Sequence, residues 1–168
     1  RACAVISFML VIGLCILTHR QVHVWQNSVT LWEHVLRCEP DSAISHTRMA
    51  MALQSQGDTD GAMKHAQRAV ALKPDWAVTH CIFGTILYRR NELDAAIDSL
   101  ISAVALDPDD LDAWERLGAI YMIQGKLDRA ARALDRVLSL DPRHAGAMYN
   151  LGDVLARQGR VEAALALW

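Results

Sequence analysis

The chain has 168 residues, a formal net charge of −2 and charges of both signs spread along its length. Such a pattern builds no basic face for neutralising phosphates, which excludes a nucleic-acid footprint. Hydrophobic residues make up 52% of it, with much of the excess at the N-terminus, and its four cysteines are too scattered for a disulfide framework.

Ala2 to Leu17 is an unbroken run of apolar or small residues, with Ser7 its one mildly polar member. As a helix it spans about 25 Å, slightly under the hydrocarbon thickness of a bilayer. A signal peptide would close on a small-x-small site, whereas this run closes on Thr18-His19-Arg20. A buried soluble helix would keep a polar face. Residues 1–20 therefore read as a hydrophobic, transmembrane helix. The residues flanking it, Arg1 and Arg20, do not orient it.

Residues 21–42 form a linker helix with Trp25, Val29, Trp32, Val35 and Leu36 at helical spacing. Trp25, His19, Arg20 and His23 suit a membrane–water boundary. His19, His23 and His34 also fall at helical spacing, but no carboxylate or thiol completes a metal set, so they read as interfacial or surface histidines. His46, His65, His80 and His144 read as ordinary surface or half-buried residues.

From Ala43 onward the chain repeats. Pro40, Pro74, Pro108 and Pro142 follow one another at 34 residues, as do Ala62, Ala96, Ala130 and Ala164. Ala50, Gly84, Gly118 and Gly152 keep the same step, and so do Gly57, Asn91, Gly125 and Gly159. Trp32, Ala66, Leu100, Leu134 and Trp168 make a fifth series. Residues 111–144 show what repeats: two helices meeting at Gly125 and closed by Asp141-Pro142. The first presents Trp114, Leu117, Gly118 and Tyr121, the second Ala130, Leu134, Val137 and Leu140. Gly118 and Ala130 are small where the helices cross. One such pair cannot bury both faces, so it needs neighbours.

A 34-residue helical hairpin with a Trp, a Leu-Gly pair, a Tyr, an Ala and a terminal Pro resembles the tetratricopeptide repeat. The likeness covers residues 43–168, with units 43–76, 77–110 and 111–144 complete and 145–168 partial. It implies an all-α fold, a right-handed superhelix of antiparallel helix pairs. Trp32 and Pro40 share the period, so residues 21–42 resemble the second helix of a degenerate unit. The first full unit departs most: His46 stands for the Trp, Ala50 for the Gly and Leu53 for the Tyr, which predicts weaker packing there. Beginning at Arg1 and ending at Trp168 inside a helix, without a polar cap, the sequence is expected to be part of a longer chain.

Trp25, Ser28, Leu31, Trp32 and Pro40 after an apolar helix are also similar to the junction of polytopic transmembrane-and-TPR O-mannosyltransferase-like proteins. That likeness implies repeats on the periplasmic, lumenal or extracellular side. The catalytic residues of such proteins lie in their membrane part, and none carries over to this sequence.

Asp58-Thr59-Asp60 and Asp107-Pro108-Asp109 both read D-x-D, a metal–sugar-nucleotide pattern in some glycosyltransferases. That chemistry requires a sheet, and carboxylates in turns cap helices, so capping is the preferred reading. No nucleophile elbow, zinc-protease motif, phosphate loop or dinucleotide fingerprint occurs. The sequence is read as non-enzymatic, with no cofactor and no metal.

The resemblance implies that the first helix of each unit lines a concave, protein-binding groove. In register, the lining is Thr47, Met51, Gln54, Val78, Cys81, Thr85, Tyr88 and Arg89, continuing with Asp112, Glu115, Ala119, Met122, Tyr149, Asp153 and Arg157. Chaperone-binding members grip a peptide carboxylate with Lys, Asn and Arg. Here those places hold Thr47, Met51, Ile82, Asp112 and Arg116, of which only Arg116 fits, so that clamp is disfavoured. The leading expectation is a membrane-tethered scaffold that binds a protein or peptide in the groove. One alternative is an acceptor-presenting C-terminal region of a membrane glycosyltransferase-like enzyme. Another is a self-assembling subunit that stacks through Leu165, Leu167 and Trp168 at its end.

Overall fold

The computed structural model describes residues 27–167, and among these there are nine helices and no strand. They are α1 (Ser28–Cys38), α2 (Ala43–Gln56), α3 (Thr59–Leu72), α4 (Ala77–Arg89), α5 (Leu93–Leu106), α6 (Leu111–Ile123), α7 (Leu127–Leu140), α8 (Ala145–Arg157) and α9 (Val161–Leu165). The apolar run 2–17, His19, His23, Trp25 and Trp168 lie outside the described residues. No helix among the described residues is long and apolar enough to cross a membrane.

Each hairpin turns at the same kind of residue. Gly57, Asn91, Gly125 and Gly159 have φ of 85°, 62°, 70° and 80°, the left-handed region that ends helices. All four turns share one bonding pattern. In the third, the Gly125 amide donates to the Met122 carbonyl at 3.1 Å and the Lys126 amide to the Tyr121 carbonyl at 2.9 Å. Asn91 serves because its short polar side chain tolerates this conformation better than other non-glycine residues.

Between hairpins the chain turns at the prolines, and a ring nitrogen six residues later bonds back. Trp114 Nε1 donates to the Pro108 carbonyl at 2.9 Å. His80 Nε2 and His46 Nε2 meet the Pro74 and Pro40 carbonyls at 2.8 and 3.0 Å. In the first unit His46 reproduces the polar contact of the Trp it stands for. Leu53 is buried in the Tyr position.

Packing within a hairpin follows a size rule. A Cβ on Gly118 would lie 2.9 Å from Leu134 Cγ and Cδ2, and one on Gly84 would lie 2.8 Å from Leu100 Cγ. Only a glycine admits the leucine. In the first unit the corresponding pair is Ala50 and Ala66, both buried, so Ala50 fits there because its partner is small. Ala62, Ala96, Ala130 and Ala164 are all fully buried at the other crossing positions.

Units join through side chains at the hairpin tips. Gln124 donates to Asp94 and Gln158 to Asp128, each at 2.9 Å, and Arg90 pairs with Asp60 at the equivalent place. The second helix of each hairpin packs on the first helix of the next, and α1 packs on α2 in the same way through Val29, Trp32 and Leu36. One core runs through units two to four. A smaller one holds Met49, Ala50, Leu53, Ala62, Ala66 and Ile86, and the two meet at Met63 and Phe83.

Candidate functional site

First helices α2, α4, α6 and α8 touch one another in sequence, whereas the second helices α3, α5 and α7 do not. The layer in which successive elements lie closer is the inner side of the curve, so the first helices form the concave face. A first helix that must both pack on its own partner and face inward carries two apolar stripes, and α4 does so with Ile86 and Leu87 buried while Val78 stays exposed.

The inner-face residues read from the sequence divide into two sets. Met51, Val78 and Tyr149 are exposed, Tyr149 at 65%. Asp112, Arg89 and Arg157 are exposed, and Gln54, Tyr88, Glu115, Ala119, Met122 and Asp153 are half-buried. Thr47, Cys81 and Thr85 are buried, at 2%, 7% and 5% exposure, and so present no side chain to a partner. Cys81 is covered by the start of the neighbouring first helix, near Asp110, Asp112 and Arg116. Thr47 Oγ1 donates to the Ala43 carbonyl and Thr85 Oγ1 to the Cys81 carbonyl, each at 2.8 Å, the local bond that lets a buried hydroxyl remain in a helix.

Four of the expected residues converge. Tyr88 of α4, Ala119 and Met122 of α6, and Arg157 of α8 line an open depression of about 330 Å³, joined by Ile123 and Asn150. Ile123 is exposed at 57%, an unusual place for a large aliphatic side chain. Sequence periodicity gave both residues no mark, since Ile123 lies in the last turn before the Gly125 bend and Asn150 in the register of Ile82 and Arg116. Around the depression, Arg157 lies 3.6 Å from Asp153 and Arg89 donates to the Gln54 carbonyl at 3.4 Å. Floor and walls are apolar, with an amide and a guanidinium at one side. Such a surface can take an apolar side chain and hydrogen-bond the backbone around it. It offers no nucleophile paired with a base.

Cys81 lies beneath this face, and burial, followed by the Asp110 carboxylate, pushes its thiol up to about 12. The thiol stays protonated and inert. Arg116, half-buried nearby, has its Nε enclosed with no hydrogen-bond partner among the described residues. The two D-x-D motifs are engaged in the fold. Asp58 Oδ1 accepts from the Gly61 amide and Asp107 Oδ1 from the Asp109 amide, while Asp60 pairs with Arg90 and Asp109 with Arg136; the neighbouring Asp110 caps α6 by accepting from the Ala113 amide. His144 Nδ1 caps α8 by accepting from the Ala147 amide at 3.1 Å. The four histidines of the repeats are half-buried, and each also makes a hydrogen bond.

The array so defined is an all-helical solenoid like those of tetratricopeptide-repeat proteins. Family models described as tetratricopeptide repeat match residues 47–73 and 121–168, and one described as TPR repeat matches residues 84–124. Among solved structures, the chain is similar to a crystal structure of MamA, with 25% identity, 81% of this chain and 80% of that chain covered, and a TM-score of 0.76. A MamA from Desulfovibrio magneticus RS-1 superposes at a TM-score of 0.74, with 23% identity over 81% of this chain and 77% of that one. YrrB, described as "a TPR protein with an unusual peptide-binding site", gives 0.70 at 23% identity, over 83% of this chain and 72% of that one. No curated protein matches the sequence.

Proposed function

We propose that this chain is a non-catalytic scaffold whose inner face binds an extended peptide or protein segment. The observation that carries the reading is the depression where three successive first helices bring Tyr88, Met122 and Ile123 together beside Asn150 and Arg157. An aliphatic or aromatic side chain of the partner enters between Tyr88 and Met122, and Asn150 bonds the adjoining peptide group. Thr47, Cys81 and Thr85 take no part. YrrB, a protein of the same fold, is described as peptide-binding, which supports the class of partner. Residues 2–17 tether the array to a membrane, and the likeness of the junction to O-mannosyltransferase-like proteins favours the periplasmic, lumenal or extracellular side.

Peptides selected by display against the full chain test the groove. Tyr88→Ala and Met122→Ala should each weaken binding about tenfold, the loss of one buried side-chain contact worth about 1.4 kcal/mol. Circular dichroism should be unchanged. Equal affinity of every selected peptide for both variants and the parent rejects the site.

A second reading rests on α9, where Val161 and Leu165 are 56% and 64% exposed. There the solenoid stacks end to end on another copy. Val161→Lys with Leu165→Lys abolishes concentration-dependent light scattering if it does, and leaves it unaltered otherwise.

A further inference from the structure

His46 on α2 and His65 on α3 point their Nδ1 atoms at each other across the first hairpin, 2.9 Å apart, with ring centroids 5.1 Å apart. That distance is a hydrogen bond, so one nitrogen carries a proton and the other does not. The environment decides which. His46 Nε2 lies 3.0 Å from the Pro40 carbonyl, which only accepts, so His46 carries its proton there and its Nδ1 is bare. His65 is then the donor through Nδ1. A first added proton goes to His65 Nε2 and leaves both bonds intact. A second must go to His46 Nδ1, where it meets the N–H of His65 head-on. The pair accommodates one positive charge but not two.

We propose that the His46–His65 pair is a proton-sensitive latch that holds the N-terminal hairpin closed at neutral pH and parts α2 from α3 when both rings are charged. The groups around it do not cancel the effect. Asp58 at the head of α3 acts to keep His65 charged, but burial and His46 outweigh it, and the His65 imidazole is held below its ordinary 6.5. From α1, Glu33 and Arg37 line the same open depression as His65, one charge of each sign. Asp41, in the Pro40 turn, is already bound to Arg68 of α3 at 2.5 Å.

The fold lets this unit open ahead of the others. Its core is the smaller of the two clusters, closed on one side by Ile82, Phe83 and Ile86 of α4 and meeting the larger cluster at Met63 and Phe83, and arrays of this kind loosen unit by unit. The second unit supplies a built-in comparison. His80 makes the same bond to Pro74, but Ser99 stands where His65 would be and bonds the Ala95 carbonyl instead. Opening therefore loosens α1, α2 and α3, exposes the side of α4 that carries Ile86, and leaves α5 to α8 closed.

The sign follows from proton counting. Opened, the two rings can carry four N–H protons between them, whereas closed the shared Nδ1–Nδ1 bond leaves room for three. Protection is complete above pH 6.5 and declines as pH falls below it, by up to about tenfold per pH unit for the one proton bound in excess. Amide exchange on the full chain between pH 8 and pH 4.5, corrected for intrinsic rates, should show this decline across residues 43–72 and not across 93–157. His65→Ser, which installs the second unit's arrangement, should remove the decline. Nitrogen NMR at pH 8 should find the proton of His46 on Nε2 and that of His65 on Nδ1. The opposite tautomers overturn the proposal. So does a His65→Ser variant whose residues 43–72 lose protection as the parent's do.

Discussion

Gly118 and Leu134 offer the sharpest test of how the sequence sets the packing. Replacing Gly118 by Ala places a methyl carbon 2.9 Å from two carbons of a fully buried leucine, where ordinary contact needs about 3.7 Å. Overpacking of this kind costs about 1–3 kcal/mol, and better helix propensity returns about 1 kcal/mol. The single substitution is therefore destabilising by up to about 2 kcal/mol. Leu134→Ala alone opens a cavity and costs about 2–5 kcal/mol. Together they recreate the Ala50–Ala66 pair of the first unit. The new methyl no longer collides and fills part of the void, so Gly118→Ala changes sign and becomes stabilising by about 1 kcal/mol in the Leu134→Ala background. Urea denaturation of the four proteins, followed by circular dichroism, measures the cycle. Stabilisation by Gly118→Ala alone, or additivity of the two changes, refutes the size rule.

Other outcomes are equally definite. Gly125→Ala forces an alanine to φ of 70° and should cost about 1–2 kcal/mol, a thermal shift of a few degrees, whereas Asn91→Gly should change stability by only a few tenths. Cys81, its thiol at about 12, should resist iodoacetamide at pH 8 while exposed Cys38 is labelled, as read by peptide mass mapping; equal rates would contradict the burial argument. Asp128→Ala removes the acceptor of Gln158 at the junction of the last two units and should cost about 0.5–1 kcal/mol. The loss should concentrate as reduced amide protection in α8.

The fold was legible because each period-34 series answers one physical demand. Positions 57, 91, 125 and 159 need a residue that accepts positive φ, and only Gly and Asn fill them. Positions 50, 84 and 118 need whatever size their partner leaves. Other demands are met by unlike chemistry and leave no series to read. Ser42, Asp110 and His144 cap equivalent helices with a hydroxyl, a carboxylate and an imidazole, while at Trp76 the Thr79 hydroxyl bonds the backbone carbonyl instead. The junction acceptors Asp60, Asp94 and Asp128 face an Arg once and a Gln twice, so no charge pattern announces them. His46 and His65 are 19 residues apart on different helices, and only the hairpin's geometry makes them a pair.

The inner face was legible only in part, for a reason visible at one register. Thr47, Cys81, Glu115 and Tyr149 are equivalent by sequence, yet their burial runs from 2% and 7% exposed, through half-buried, to 65% exposed. Cys81 lies near Asp110, Asp112 and Arg116 at the start of the following first helix. Glu115 reaches as far as Gly146, where a Cβ would sit 3.0 Å from its Oε1. No following first helix packs over α8 among the described residues, where Tyr149 is 65% exposed. Position 47 and its equivalents are thus contacts between units before they are surface. A ligand must find its apolar anchor two turns further along, where Tyr88, Met122 and Ile123 approach the hairpin bends. The helix ends, with their glycines and their short side chains, leave room for a partner that the middle of the inner layer has already filled with its own neighbours.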